Sequence, residues 1–433
     1  MNNFKNKTIT IFGLAKSGIA SARKLASLGG RVLVTETRPA ADIDAAVLKE
    51  LEGLGVGLEL GGHSLKAIEK AELIVVSPGV HLDIPVLEQA KKKGVPTISE
   101  IELAYRLLKK PIIAVTGTNG KTTTTTLIGE LLKAGGRSAA VAGNIGNPLV
   151  EVDDAALDYI VAEISSYQLE SVVEFKPWIS VILNIQPDHL ERHGSMQEYI
   201  DQKARIFTNQ AGDDYVVFNA DDPQVAEMVK KAKARLVGFS KDHPEIITLK
   251  PSEIKIPGRH NLENSLAAAQ AAYLCGVDKR TAAEVLRTFP GVEHRIEFVK
   301  SVNGIEFYND SKATNPDSTL VALETFEGRN VILILGGRDK GTPLDALAQN
   351  IKAGVKAVVL TGEATQRFKE ALDRVGYRDV HLAGSLAEAT QKSLRLGAEN
   401  DIVLLSPACA SFDMFKNFEE RGRVFKEEVR KLL

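Results

Sequence analysis

One short stretch limits what this chain can fold into: Thr116-Gly117-Thr118-Asn119-Gly120-Lys121-Thr122-Thr123. An apolar run, Pro111 to Val115, enters it, and a helical pattern, Thr124 to Lys133, leaves it. A strand, a glycine turn and a helix start in that order aim backbone N–H groups at one point, where the helix dipole adds partial positive charge. Lys121 supplies a full charge, and the Thr122 hydroxyl is suited to face a Mg²⁺ ion. The stretch therefore reads as a cradle for a nucleoside triphosphate. The general pattern has one more glycine, where this chain has Val115, so the match is incomplete.

The segment before it opens a doubly wound sheet. Thr8 to Phe12 is a strand, Gly13 to Gly18 a turn, Ile19 to Leu28 a helix and Arg31 to Thr35 a second strand. Two of three fingerprint glycines are present, which makes a dinucleotide site weak and removes a dehydrogenase reading. Glu36 stands where an acid meets a ribose hydroxyl, or it belongs to an ordinary βαβ unit. Leu73 to Val76 reads as the third strand, ending in Ser77-Pro78-Gly79-Val80, and Val95 to Ser99 as the fourth. Arg38 is either a diphosphate contact or a surface charge.

After the cradle, Ala139 to Ala142 is a strand running into Gly143 and Asn144, whose amide either enters the site or serves the turn. Tyr159 to Glu163 is a strand that puts an acid beside the cradle, where Mg²⁺ takes one or two carboxylates. Trp178 to Ile185 leads into Gln186-Pro187-Asp188-His189-Leu190-Glu191-Arg192-His193. The His-Glu-x-x-His zinc spacing is not met there, and a Mg²⁺ or phosphate role or a solvated loop remains. Lys203, on a helix from Met196 to Phe207, reads as a solvated surface charge. Asn261 and Asn264 share one face of the start of an alanine-rich helix, Ser265 to Leu274, as caps or nucleotide contacts.

Beyond a linker, Phe289 to Arg295, strands Ile305 to Tyr308, Val331 to Leu335, Ala357 to Thr361 and Asp401 to Leu405 each end in a polar loop. Those loops should gather on one edge of a mostly parallel sheet and suit a small acidic substrate. Cys409 lies in the last of them without a nearby histidine and reads as a buried, inert thiol.

The totals exclude several classes. With 433 residues and 44% hydrophobic residues, two to four domains are expected. A formal charge of −2 argues against a general nucleic-acid or anionic-membrane binder. Two isolated cysteines fit neither a disulfide framework nor a zinc site, and suit a reducing cytoplasm. No apolar run approaches the roughly 20 residues of a membrane span.

The motifs together resemble the Mur ligases of peptidoglycan synthesis. The resemblance rests on Thr116 to Thr123, Glu163-Ile164-Ser165-Ser166-Tyr167-Gln168-Leu169, Asp188-His189-Leu190-Glu191-Arg192-His193, His260-Asn261-Leu262-Glu263-Asn264, Asn309-Asp310-Ser311-Lys312-Ala313-Thr314, and Leu405 to Asp413 with Phe415 to Phe418. It runs in order over essentially the whole chain. It implies an α/β protein of three domains: a Rossmann-like N-terminal domain (1–99), a P-loop ATPase-like central domain (100–291) and a Rossmann-like C-terminal domain (292–433). It implies ATP and Mg²⁺, and ligation of D-glutamate to UDP-N-acetylmuramoyl-L-alanine by a cytoplasmic monomer that needs no nucleic acid and has no membrane span.

Residue by residue, the resemblance makes Lys121, His189 and Lys203 catalytic, with Lys203 carbamylated. Thr122, Glu163, His189 and Lys203 hold metal. Gly117, Thr118, Asn119, Gly120, Lys121, Thr122, Thr123, Asn261, Asn264, Arg295 and Asp310 meet ATP. Leu14, Thr37, Arg38, Ser77 and Asn144 meet the UDP substrate, and Lys312, Thr314, Lys340, Ser411, Phe412 and Phe418 the D-glutamate. Two departures stand out. Glu191 replaces the family's aspartate, and the stretch from Phe239 to Ile256 is short.

Overall fold

Short apolar runs alternating with helices build three sheets in the computed structural model, which describes residues 4–433 except Pro244, Glu245, Thr248, Lys340 and the side chain of Leu190. The expected contact Lys340 thus lies outside the described residues. The first sheet holds β1 (Thr8–Phe12), β2 (Arg31–Glu36), β3 (Gly57–Leu60), β4 (Leu73–Val76) and β5 (Thr97–Ser99), in the order β3-β2-β1-β4-β5 with every pairing parallel. Leu73–Val76 is therefore the fourth strand, not the third. The missed strand, Gly57–Leu60, is a half-exposed edge strand too short and too polar to show an apolar run.

The second sheet holds β6 (Ile112–Thr116), β7 (Ala139–Gly143), β8 (Tyr159–Glu163), β9 (Ile179–Ile182), β10 (Tyr215–Asn219) and β11 (Arg235–Phe239), in the order β11-β10-β9-β6-β8-β7, again all parallel. β6 is buried along its whole length, as a central strand covered on both faces must be. β11 also escaped the sequence reading; it is largely exposed.

The third sheet holds β12 (Glu297–Val302), β13 (Ile305–Asn309), β14 (Val331–Gly336), β15 (Val355–Thr361), β16 (Val380–Leu382) and β17 (Ile402–Leu405), in the order β12-β13-β17-β14-β15-β16. Only β12 is antiparallel, hairpinned to β13 through Asn303 and Gly304. The edge strands β12 and β16 were unexpected; both are poor in buried residues.

The chain divides into two compact units, Met1–Lys250 with Leu262–Leu286, and Pro251–Asn261 with Arg287–Leu433. In the first unit, the helix Glu100–Leu107 leaves β5 directly and sends Ile101, Leu103 and Ala104 into one apolar cluster that runs from Ile11 and Val34 to Ala114 and Phe175. Each such large side chain contributes on the order of 1.5–3 kcal/mol. Glu102, on the same helix, is fully buried because its oxygens accept from the N–H groups of Val173, Glu174 and Phe175 at 2.8–3.1 Å and from Arg106 at 2.9 Å. In the second unit, apolar clusters cover both faces of the third sheet. No helix among the described residues is long and apolar enough to cross a membrane.

Candidate nucleotide and ligase site

β6 sits between β8 and β9, so the loop leaving it opens on the carboxyl edge of the sheet, where such folds bind ligands. The register sets Val115 beside Glu163 and Val181, and Gly143 beside Glu163. The loop Gly117 to Gly120 thus emerges next to Glu163 on one side and Asn184 on the other. Gly120 has φ 83° and starts the helix Lys121–Ala134 with no side-chain cap, so the positive end of the helix dipole opens at the loop. A Cβ on Gly120 would lie 2.1 Å from Asn264 Oδ1, so the buried Asn264 is pressed against the turn. Asn119 N–H donates to Asn184 Oδ1 at 2.8 Å, and Gln186 N–H to Thr118 Oγ1 at 3.0 Å.

Two lysines converge on one carbonyl. Lys121 Nζ donates to Gly117 O at 2.9 Å and Thr118 O at 2.7 Å, and Lys203 Nζ donates to Gly117 O at 2.9 Å. Lys203 is 1% exposed, which corrects its reading as a solvated surface charge. Burial, and then the charge of Lys121, push its ammonium well below the ordinary lysine value against a smaller pull from Asp188. Tyr199 covers Lys203, with the ammonium 4.6 Å from its ring centroid, and meets Thr118 Oγ1 at 3.0 Å. The sequence reading missed Tyr199. Its signal was the four-residue spacing to Lys203, which puts both on one helix face.

Glu163 is 3% exposed. Its Oε1 accepts from Asn144 Nδ2 at 2.8 Å, and its Oε2 is buried without a hydrogen-bond partner among the described residues. Asn144 thus does serve a carboxylate, not only a turn. Thr122 is buried at the first turn of the helix. His189 has φ 54° and stands within 3.4 Å of Asp188 and 3.7 Å of Glu191. The Glu191 side chain is largely exposed. Tyr167 lies between His189 and His193, at ring distances of 4.8 and 5.5 Å. Burial lowers the His193 imidazole, which meets Ser166 Oγ at 3.0 Å. Arg192 pairs with Glu170 at 2.6 Å and donates to Val80 O at 3.0 Å, tying this loop to the loop after β4.

At the first sheet's edge, Glu36 organises the turn. It accepts from Leu14 N at 2.7 Å, Arg38 N at 3.1 Å, Thr37 Oγ1 at 3.2 Å and the Arg38 guanidinium at 3.1 Å. Burial opposes ionisation, but these donors prevail and hold the carboxyl at about 2. Both oxygens are engaged within the chain, so Glu36 acts here on the turn. Ser77 Oγ donates to Gly13 O at 3.1 Å, and a Cβ on Gly18 would lie 2.0 Å from that same carbonyl, which only glycine tolerates.

In the second unit, the loops after β13, β14, β15 and β17 do share one edge. Asp310 is buried; it accepts from Ser406 Oγ at 2.7 Å and Ile296 N at 3.3 Å. Burial raises it to about 7, against Ser406 and the charge of Arg295. Arg295 is flanked by His294 (φ 66°) and Ile296 (φ 45°), and a β-branched residue in that region is strained. Arg421, also missed in the sequence, is 3% exposed and ties the site together. Its guanidinium donates to Ser311 Oγ and O and to the carbonyls of Cys409 and Ala410 at 2.8–3.3 Å. Burial lowers it to about 10. Lys312 donates its N–H to His294 O, and Phe418 sets its ring edge-on to His294 at 6.1 Å. Ser411 is buried, Thr314 half-buried and Phe412 61% exposed. Asn261 Nδ2 donates to Pro257 O at 2.6 Å, on a helix that starts at Arg259, not Ser265. Cys409 is buried, and burial pushes its thiol to about 11, as an inert thiol requires.

A phosphate-loop turn on a parallel sheet, with one α/β segment before it in the chain and another after it, gives a three-part α/β architecture with a nucleotide-type cradle in the middle part. The chain belongs to the Mur ligase family. Three family models match it: the Mur ligase MurD-like N-terminal domain over residues 7–99, the Mur ligase middle domain over 115–272 and the Mur ligase glutamate ligase domain over 294–409. Curated relatives bear the name UDP-N-acetylmuramoylalanine--D-glutamate ligase. The one from Thermoanaerobacter sp. is 44% identical over 99% of both chains, and the one from Clostridioides difficile 40% identical over 99% of this chain and all of its own. Among solved structures, the MurF ligase of Thermotoga maritima in complex with ADP aligns with a TM-score of 0.59 at 15% identity, over 99% of this chain and 96% of its own. The UDP-N-acetylmuramate-alanine ligase of the same organism gives 0.57 at 22%, over 98% and 99%. These two likenesses show the fold.

Proposed function

We propose that this chain joins the amine of D-glutamate to the carboxylate of UDP-N-acetylmuramoyl-L-alanine, using ATP, in the synthesis of peptidoglycan precursors. The relatives that bear this activity in their name support the reading, and the convergence of Lys121 and Lys203 on the Gly117 carbonyl carries it at the level of residues. A carboxylate is a poor acyl electrophile. Transfer of the ATP γ-phosphoryl group gives an acyl phosphate, whose leaving group is phosphate; the amine then attacks and the tetrahedral adduct collapses to the amide.

In this reading, residues Gly117 to Thr123 cradle the phosphates through backbone N–H groups. Lys121 turns from the loop carbonyls to the phosphates. Mg²⁺, when bound, offsets the negative charge that gathers on the phosphoryl oxygens. The residues present fit that ion. Glu163 offers a buried carboxylate oxygen with no hydrogen-bond partner among the described residues, Thr122 stands in the first turn of the helix Lys121–Ala134, and His189 stands on the loop after β9. No cluster of three acidic, histidine or cysteine ligands occurs among the described residues, and Mg²⁺ needs none when phosphate and water complete its shell. Lys203 joins the set as its carbamate. Burial disfavours the Lys203 ammonium, and the neutral amine form adds CO₂ through nitrogen with release of one proton, leaving an anion at that position.

Leu14, Thr37, Arg38, Ser77 and Asn144 would hold the UDP substrate. Asn261, Asn264, Arg295 and Asp310 would serve the nucleotide, and Lys312, Thr314, Lys340, Ser411, Phe412 and Phe418 the D-glutamate. Residues 1–99, 100–291 and 292–433 form the three corresponding domains of a cytoplasmic monomer. ADP release tests the reading. It should require both the UDP substrate and D-glutamate, and release that ignores either one refutes it.

A further inference from the structure

The second sheet has a cavity at the edge opposite the phosphate loop. Its volume is about 660 Å³, and the amino ends of three strands contribute Ile112, Tyr159 and Trp178 to its lining. Four residues of β6 lie between Ile112 and Gly117, a span of roughly 16 Å. Trp178, the single tryptophan of the chain, stacks on Tyr159 at 5.8 Å with 16° between planes, and meets Tyr215 edge-on at 5.9 Å. Its backbone is fixed by Trp178 N–H to Ile112 O and Tyr215 N–H to Trp178 O, both at 2.9 Å. Tyr105 adds a third ring from the helix Glu100–Leu107.

Charge completes the lining. Arg106 is matched by Glu102 and Lys176 by Asp214, at 2.9 and 3.2 Å. The Asp154 carboxylate is engaged by the backbone N–H groups of Lys109 and Lys110, at 2.6 and 3.0 Å, which fixes those residues at the rim. Their two ammonium groups carry no ion pair among the described residues; Lys110 lies in the field of Asp158, and Glu174 stands 3.7 Å from Arg106, so no carboxylate of the lining is left to set against Lys109. Half-buried aromatic faces with a surplus cation beside them suit a flat ring that bears negative charge.

We propose that this cavity is a second ligand site, separate from the phosphate loop, for a small aromatic anion: a planar ring carrying a phosphate or carboxylate group. The sole tryptophan makes it directly observable. Phenyl phosphate and benzoate are titrated into the full-length protein while tryptophan emission is followed, with inorganic phosphate and phenol as controls for charge and ring alone.

Saturable quenching by phenyl phosphate or by benzoate, absent with inorganic phosphate and unaffected by saturating ADP, is the expected result; whichever anion saturates identifies the charged group. Lys109→Glu with Lys110→Glu should weaken that binding about tenfold while far-UV circular dichroism stays unchanged. Quenching that never saturates, that ADP displaces, or that survives the double charge reversal unchanged overturns the proposal. Trp178→Phe, followed by calorimetry instead of fluorescence, should retain weakened binding. Full-strength binding there removes the aromatic wall from the site.

Discussion

Lys203 donates to the carbonyl oxygen of Gly117 at 2.9 Å from a side chain that is 1% exposed. Gly117 is the first residue of the phosphate loop, and Lys121 reaches the same oxygen. A buried lysine beside another lysine is electrostatically costly, a cost that the proposed carbamate would remove.

Lys203→Ala is therefore expected to lower ADP release by about 10²-fold or more, with partial recovery on adding formate or acetate, which restores an anion in the space the side chain leaves. Lys203→Arg should not recover, because guanidinium stays charged. The measurement is steady-state ADP release with and without the carboxylate. Full activity in the alanine variant would remove Lys203 from the site.

Gly120→Ala meets two obstacles, a left-handed backbone and Asn264 Oδ1 at 2.1 Å from the new Cβ. The backbone alone costs about 1–2 kcal/mol. ATP affinity, measured by calorimetry, should fall about tenfold or more. Asn264→Ala should cost less when added to Gly120→Ala than when made alone, because the clash goes with it. Strictly additive losses contradict the contact.

Glu36 predicts an acid-side effect. Its folded-state value, about 2, lies below the ordinary 4.5, so its contribution is complete above about pH 4.5 and is lost as pH falls toward 2. Glu36→Gln should flatten this limb of stability against pH in urea titrations. It should also raise KM for the UDP substrate severalfold with kcat little changed, since it loosens Leu14 and Arg38. An unaltered acid limb argues against the pairing.

Glu100 predicts the opposite sign. It is buried, accepts from Val150 N–H at 2.7 Å and leaves Oε2 without a partner among the described residues; burial raises it to about 7. A raised value means stability is full below about pH 4.5 and declines as pH rises through 7. Glu100→Gln keeps the Val150 bond without the charge. It should gain on the order of 1–3 kcal/mol, a few degrees in midpoint, at pH 8 and nothing near pH 4. Equal midpoints at pH 8 would count against a strained carboxylate.

Central strands were legible because full burial makes a continuous apolar run, as in Ile112–Thr116. Edge strands such as Gly57–Leu60, Arg235–Phe239 and Val380–Leu382 were not, since one exposed face dilutes the pattern. The cradle, Glu163 and the loop after β9 were legible from position at strand ends. Lys203 was not, because a lysine on a helix carries no mark of burial, and only the family resemblance singled it out. Tyr199 and Arg421 act through contacts distant in sequence, Thr118 for one and Ser311 for the other, which no local pattern displays.

The most direct test of the account is the rate of ADP release with UDP-N-acetylmuramoyl-L-alanine and each amino acid in turn. The account predicts turnover with D-glutamate and little with L-alanine, L-glutamate or a diamino acid. Equal turnover with any of these contradicts it.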